Sequence, residues 1–221
     1  MLTIYHIRLI IEECREIAWT GPNGVNASIP DLEIDVLSPP NDFLGVKGNP
    51  AIFVNDKTFR LLGHLHRDWA LNKTIALKID FLQQSPIDII GAIVHETGHA
   101  FAVAAHIENT ETNAYIYEIE VLRKLLETNS DLLFGSTYSD LQRYFSKRMP
   151  FYKMGAAQNT SLSKLIDEIN VQFELNHLSP IRTENKPVRC TFFLDPAVKQ
   201  RDVDGGRNKP EGRHSEPLRG A

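Results

Sequence analysis

The sequence is poor in cysteine, in long apolar runs and in excess positive charge. It has two cysteines in 221 residues, and the wide separation of Cys14 and Cys190 indicates neither a zinc knuckle nor a disulfide framework, so a reducing compartment is expected. The net charge of −4 provides no basic surface for nucleic acid and no polybasic segment for a membrane. The apolar run Ile4–Ile11 is interrupted by His6 and Arg8, unlike a signal peptide or a transmembrane helix.

The strongest chemical signal that is present is the string His-Glu-Thr-Gly-His at residues 95–99. On a helix, His95 and His99 share one face because they are four residues apart, so both rings can bind one metal ion. Glu96 then lies beside them and can act on a water molecule at that ion. This arrangement predicts a zinc hydrolase.

The flanking sequence predicts the helix that the motif needs. Residues Thr74–Phe81 alternate between apolar and polar side chains, which predicts a half-buried strand before the motif. Ser85 and Pro86 then predict a helix start at Pro86, and the helix is expected to run to Ile107 and to be buried on most sides. Gly98 inside this helix costs about 1 kcal/mol relative to alanine. It predicts close approach of a strand or of substrate, with a tight helix crossing as the alternative.

Catalytic zinc usually has three protein ligands, so one more residue is needed. His106 lies on the face of His99, but seven residues along a helix span about 10 Å, too far for a shared ion. Carboxylates in the turn after this helix and around the start of the next one are better candidates, because two helices joined by a short loop pack antiparallel. We rank Glu111 first, Glu118 second and Glu108 third. Glu111 could reach the ion only if the first helix ends early. Glu118 would lie nearer the level of His99 if that helix runs to His106.

Two segments carry a resemblance to a known family. His-Glu-Thr-Gly-His-Ala at 95–100 and Glu-Thr-Asn-Ala at 111–114 resemble the zincin metallopeptidases of the gluzincin type, in which a Glu-x-x-Ala segment supplies the third ligand. The chain also resembles the actin-cleaving zincin effectors of the Legionella type IV secretion system. This resemblance implies secretion into the host cytosol, proteolysis of host actin and disruption of the cytoskeleton.

The expected chemistry is peptide hydrolysis with Zn²⁺ as the cofactor. A zinc ion held by His95, His99 and a carboxylate would lower the pKa of its water toward 7, and Glu96 would act as the general base. A tetrahedral oxyanion would need one further donor. The sequence leaves six candidates for that donor open: Tyr115, Tyr117, Tyr138, Tyr144, Tyr152 and His177.

Two alternatives to a peptidase stay open at this stage. A zinc amidohydrolase of the deformylase type would use a cysteine as third ligand, and neither cysteine lies in a ligand motif. A non-catalytic zincin-like binding protein would have a site that is empty or only structural, and a closed site with four ligands would favour it. His64 and His66 could form a second metal site, but no further ligands lie in register with them, so we leave them out of the site.

Length and composition predict one domain over residues 1–200. The predicted strands and helices make it α+β, and the resemblance implies a zincin-like fold, with a small sheet packed on the active-site helix and a mostly helical C-terminal part. Residues 201–221 are poor in apolar side chains and are expected to be a disordered tail. We expect a monomer without nucleic-acid or membrane partners. The remaining predicted elements are helices over residues 5–19, 113–127, 139–147 and 161–176 and strands over 32–36 and 51–54.

Overall fold

The described part of the chain has an α+β fold in which a small sheet packs against a set of helices. The computed structural model describes residues 2–62, 66 and 68–175. All elements after β3 in these residues are helical, which agrees with the predicted α+β class and its mostly helical C-terminal part. In chain order the elements are α1 (Ile4–Trp19), β1 (Ile34–Leu37), β2 (Ala51–Phe53), α2 (Asp56–Phe59), α3 (Asp68–Asn72), β3 (Ile75–Lys78), α4 (Pro86–Ala104), α5 (Glu111–Glu127), α6 (Tyr138–Ala156) and α7 (Thr160–Gln172).

The sheet has three strands in the order β1-β3-β2. Strand β1 runs parallel to β3, with Ile34 opposite Ile75, and β2 runs antiparallel to it. The predicted half-buried strand over Thr74–Phe81 is wrong in two respects. It ends at Lys78, where a 3-10 turn begins, and its residues 75–77 are buried on both faces. The reason is that α4 covers one face, while a second apolar cluster around Trp69 covers the other.

Helix α4 begins at Pro86, as predicted. The Ser85 hydroxyl accepts a hydrogen bond from the backbone N–H of Asp88 at 3.4 Å, which caps the first turn. Every residue from 89 to 102 is buried, because α1, α5, α6 and the sheet all pack around this helix. The motif residues therefore lie in the centre of the fold.

Helix α4 ends at Ala104, three residues earlier than predicted. His106 has φ of 55°, a left-handed conformation that cannot continue an α-helix. The backbone N–H of Ile107 reaches back to the carbonyl of Ala102 at 3.0 Å, which satisfies one of the final carbonyl groups of the helix. A short return, residues 105–110, then leads directly into α5.

Gly98 marks a close crossing of α4 and α5. A Cβ atom at this position would lie 3.1 Å from Tyr117 Cβ and 3.2 Å from both Cα and the carbonyl oxygen of Ala114. The expected approach of a strand or of substrate at Gly98 is therefore wrong, and the alternative of a tight helix crossing is what the structure has. A glycine is needed because the two backbones approach so closely.

The other helices agree in part with the predictions. Helix α1 matches the predicted helix over residues 5–19 and buries Cys14 on its apolar face. Helix α6 continues through Pro150 to Ala156, nine residues past the predicted end, because its buried aromatic face outweighs a proline cost of about 3 kcal/mol. Helix α7 ends at Gln172, four residues before the predicted end at residue 176, and Phe173 is its C-cap.

Several predictions fall outside the described residues. They are the domain boundary at 200 and the tail over 201–221. Among the helices of the described part, none is both long and apolar enough to span a membrane.

Candidate metal centre

Helix α4 presents two imidazoles and one carboxylate from adjacent turns. The rings of His95 and His99 have centroids 5.0 Å apart and are inclined by 88°. His95 and Glu96 have no exposed surface, and His99 is 3% exposed. The predicted convergence of the two histidines on one side of the helix is therefore present.

Glu111 joins these histidines from the first turn of α5. Its Oε2 lies 3.3 Å from Nε2 of His95, and its Oε1 lies 3.6 Å from Nε2 of His99. The early end of α4 makes this possible, because the return through His106 turns the chain back before α5 starts. Thr110 caps that start by accepting a hydrogen bond from the backbone N–H of Asn113 at 3.2 Å.

His95, His99 and Glu111 form a cluster, the metal group, that has the dimensions of a metal site. One ligand atom from each residue lies within 4.8 Å of the other two. Two ligands bonded to a tetrahedral zinc ion at about 2.0–2.1 Å stand about 3.3 Å apart, close to the two nitrogen–oxygen distances. Among the described residues, the buried Nε2 atoms of both histidines have no hydrogen-bond partner, although such atoms are normally satisfied. The residues therefore fit a metal ion, whose identity the ligand types do not fix.

Glu118, the second-ranked ligand, lies behind His95 on the side opposite the ligand atom. Its Oε2 is 2.9 Å from Nδ1 of His95. The remaining acceptor capacity of the carboxylate is taken by Arg148, Tyr144 and Tyr152 of α6. Glu118 is thus placed to orient a ligand, and Glu111 alone of the three ranked carboxylates belongs to the metal group.

The second histidine also has an acceptor behind it. Nδ1 of His99 lies 2.7 Å from Oδ1 of Asn109, in the return between α4 and α5. A ring that donates from Nδ1 presents the lone pair of Nε2 to a metal, so the acceptors behind both histidines favour the tautomer that a ligand needs. Sequence reasoning missed Asn109, Arg148 and the role of the two α6 tyrosines. The four-residue spacing of 144, 148 and 152 is the signal that could have indicated a shared face.

Glu96 is held by the sheet. Its Oε2 accepts a hydrogen bond from the backbone N–H of Phe53 in β2 at 2.6 Å, while its buried Oε1 has no hydrogen-bond partner among the described residues. Burial raises the pKa of Glu96, and the nearby charges of His99 and His95 oppose that rise. One oxygen is therefore anchored, and the other can take a proton.

The charges around the metal group shift several pKa values. Burial by itself lowers the pKa of His95, but the close contacts and charges of Glu111 and Glu118 outweigh it and raise that pKa to about 9. Burial also opposes ionisation of Glu111, yet the two histidines hold its pKa well below the ordinary value. For Glu118, the Arg148 charge and the His95 contact overcome burial and lower the pKa to about 2.

The candidate oxyanion donors differ in where their hydroxyls lie. Tyr144 and Tyr152 donate to Glu118, Tyr117 donates to the carbonyl of Cys14 at 2.6 Å, and Tyr138 donates to the carbonyl of Gln172. These four hydroxyls donate to acceptors outside the metal group. The ring of Tyr115 lies 5.2 Å from that of His95, so Tyr115 stays a candidate, whereas His177 lies outside the described residues.

Other residues weighed in the sequence lie away from the metal group. Glu108 is exposed, and neither it nor His106 belongs to the group. His66 stacks on Trp69 with ring centroids 3.9 Å apart, whereas His64 lies outside the described residues. Cys14 is buried on α1, with its pKa raised by that burial.

A small pocket adjoins the residues behind His95. Its volume is about 50 Å³, and its lining includes Pro50, Ala92, Tyr144 and Arg148. Solvent can therefore approach the α6 side chains that contact Glu118.

No protein-family model matches the chain, and neither the curated proteins nor the solved structures give a significant match. The functional assignment therefore depends on the motif and on the geometry of the metal group.

Proposed function

We propose that this protein is a zinc-dependent endopeptidase in which His95, His99 and Glu111 bind the ion and Glu96 is the general base. The observation that carries the proposal is the convergence of three ligand atoms within 4.8 Å, with a buried carboxylate on the same helix turn. When bound, the ion would activate water and polarise the scissile carbonyl. The site would thus combine an electrophile with an adjacent base.

The contacts of Glu96 support its role as the base. The bond from the Phe53 N–H fixes Oε2, so the carboxylate is oriented before substrate arrives and Oε1 can accept a proton from water. Burial raises its pKa, and a carboxylate is a better general base when its pKa lies nearer to the working pH. Glu96 can then pass the proton to the leaving amine.

The number of ligands supports a catalytic role over a structural one. Among the described residues, the metal group has three members, whereas structural zinc sites are almost always closed by four protein ligands. A deformylase-type site has less support, because Cys14 is buried on α1 and does not belong to this group. An open position is what a hydrolytic site requires.

The zincin family, the substrate and the route of delivery belong to the same proposal. They come from the motif at 95–99 with the Glu-Thr-Asn-Ala segment at 111–114 and from the resemblance to actin-cleaving effectors. We propose host actin as the substrate and type IV secretion into the host cytosol as the route. Purified actin therefore serves as the first substrate to test.

The test compares wild-type protein with a Glu96→Gln variant, which keeps the size of the side chain and an acceptor for the Phe53 N–H. Each is incubated with purified actin and with host-cell lysate, with and without a metal chelator. We expect the substitution to slow cleavage by about 10²–10⁴-fold, because it removes the base. Chelation should abolish cleavage by the wild type, since it removes the ion.

Glu108→Gln is the matched control, because Glu108 is an exposed carboxylate outside the metal group. It should cleave at the wild-type rate. Undiminished cleavage by Glu96→Gln, or cleavage that resists chelation, would contradict the mechanism. Cleavage of a lysate protein while actin stays intact would keep the peptidase and reject actin.

A further inference from the structure

Three side chains on one face of helix α6 contact Glu118, the carboxylate behind His95. Tyr144, Arg148 and Tyr152 are spaced by four residues, so they form one stripe along the helix. All three are buried, and all three donate hydrogen bonds to Glu118.

Five donors surround the Glu118 carboxylate. Its Oε1 accepts from Tyr144 at 2.7 Å, from Tyr152 at 2.6 Å and from Nε of Arg148 at 3.1 Å. Its Oε2 accepts from the Arg148 guanidinium at 2.8 Å and lies 2.9 Å from Nδ1 of His95. A carboxylate with this many donors can only accept, so the His95 contact requires a proton on Nδ1.

Helix α4 makes room for this stripe. A Cβ atom at Gly91 would lie 2.1 Å from the Tyr144 hydroxyl oxygen, so this helix lacks a side chain where the tyrosine passes. Burying one guanidinium and two hydroxyls around a carboxylate requires good geometry to offset the loss of hydration. Two helices are thus adapted to hold one carboxylate at one histidine nitrogen.

We propose that Tyr144, Arg148 and Tyr152 are positioning residues for metal binding, acting through Glu118 to fix the ring and the tautomer of His95. The proposal rests on the proposed function, because it assumes that Nε2 of His95 binds the ion. Glu118 holds the proton on Nδ1, and the lone pair of Nε2 then faces Glu111 and His99. The α6 stripe prevents rotation of the carboxylate away from the ring.

A purely structural role predicts a different result. If the stripe only stabilised the packing of α6 on α4 and α5, its loss would lower the free energy of unfolding but leave zinc affinity in the folded protein unchanged. If it positions His95, zinc affinity and the signal of the Nδ1 proton must change as well. Both can be measured without any peptide substrate.

The test uses Arg148→Ala and the milder Tyr152→Phe, with zinc affinity measured by competition with a chelator. Loss of a residue that supports a ligand typically weakens metal binding by about 10–100-fold. We expect that range for Arg148→Ala and a smaller loss for Tyr152→Phe. In the zinc-loaded protein, the proton resonance of His95 Nδ1 should broaden through exchange with water in both variants.

Tyr138→Phe and Arg143→Ala are matched controls on the same helix. Tyr138 donates to the backbone carbonyl of Gln172, and Arg143 pairs with the partly exposed Asp140, so neither side chain contacts Glu118 through these bonds. Both should retain wild-type zinc affinity and the Nδ1 resonance.

Chemical rescue separates positioning from folding. Arg148 lines the small solvent-accessible pocket, so guanidinium at millimolar concentration can enter the space left by Arg148→Ala and should restore most of the zinc affinity. Wild-type zinc affinity in both variants would overturn the proposal while leaving the peptidase intact. Weakened affinity together with failure of the Glu96 test would reject the peptidase but keep the positioning role.

Discussion

His95 lies between two carboxylates, Glu111 at Nε2 and Glu118 at Nδ1. Together they outweigh burial and raise its pKa to about 9, from an ordinary value of 6.5. A raised histidine pKa stabilises the metal-free fold fully below about pH 6.5, and this stabilisation is lost as the pH rises through about 9. Metal binding has the opposite dependence, because the ion replaces the proton on Nε2.

We therefore predict that zinc binding at pH 7.5 releases about one proton from His95, in addition to the proton that a zinc-bound water with a pKa near 7 would release. Calorimetry in buffers with different ionisation enthalpies measures the total. The contribution of His95 to apparent affinity should be about tenfold per pH unit up to about pH 9 and then level off. Binding without proton release at pH 7.5 would show that His95 is neutral before the metal arrives.

At the scale of elements, the turn from α4 into α5 determines where Glu111 lies relative to the two histidines. The left-handed residue His106 ends α4, and Glu111 opens α5 one short return later. Between them, Asn109 contacts His99. The two helices therefore hold the three proposed ligands in positions that depend on how closely they cross at Gly98.

Gly98→Ala tests that crossing. The added methyl would meet Tyr117 Cβ and Ala114 backbone at 3.1–3.2 Å, atoms that cannot swing aside. Overpacking costs about 1–3 kcal/mol and alanine regains about 1 kcal/mol of helix propensity, so we expect the free energy of unfolding to fall by up to about 2 kcal/mol. Denaturant unfolding of the metal-free protein measures it.

Gly155→Ala is the control for the Gly98 prediction. It is also a helix glycine, but its new methyl would meet the side chains of Leu162, Thr112 and Tyr115, which can adjust. Its cost should be smaller. Equal stability of Gly98→Ala and the wild type would mean that the helices separate easily at this crossing.

The elements with local signals could be predicted from the sequence. The start of α4 follows from Ser85 and Pro86, and the common face of His95 and His99 follows from helix geometry alone. The early end of α4 could not be predicted, because it depends on a left-handed histidine that no glycine marks. The contacts between Glu118 and α6 could not be predicted either, since the α6 partners lie 26–34 residues away along the chain.

At the scale of the whole molecule, the metal group connects α4 to α5, and Glu118 connects both to α6. An ion that binds only the folded state should stabilise all three helices together. At a zinc concentration one hundred times the dissociation constant, the gain is about 2.7 kcal/mol, or about 5–10 °C in melting temperature for a domain of this size.

Melting curves with zinc and with a chelator measure this gain. Glu111→Ala should lose most of the zinc-dependent rise, because it removes one of three ligands, and Glu108→Ala should keep it. A melting temperature that is the same with zinc and with chelator in the wild type would contradict a metal site in the core of the fold.

The groups around His95 also determine which ionic charge the core can accommodate. Glu96, Glu111 and Glu118 bring three carboxylates into the same largely buried region as one guanidinium, Arg148. When the histidines are neutral ligands and the carboxylates are ionised, these groups leave two negative charges without compensation, and uncompensated buried charge is costly. A dication makes the cluster electroneutral, whereas a monovalent or a trivalent ion leaves a net charge, so α6 contributes through Arg148 to the choice of ion.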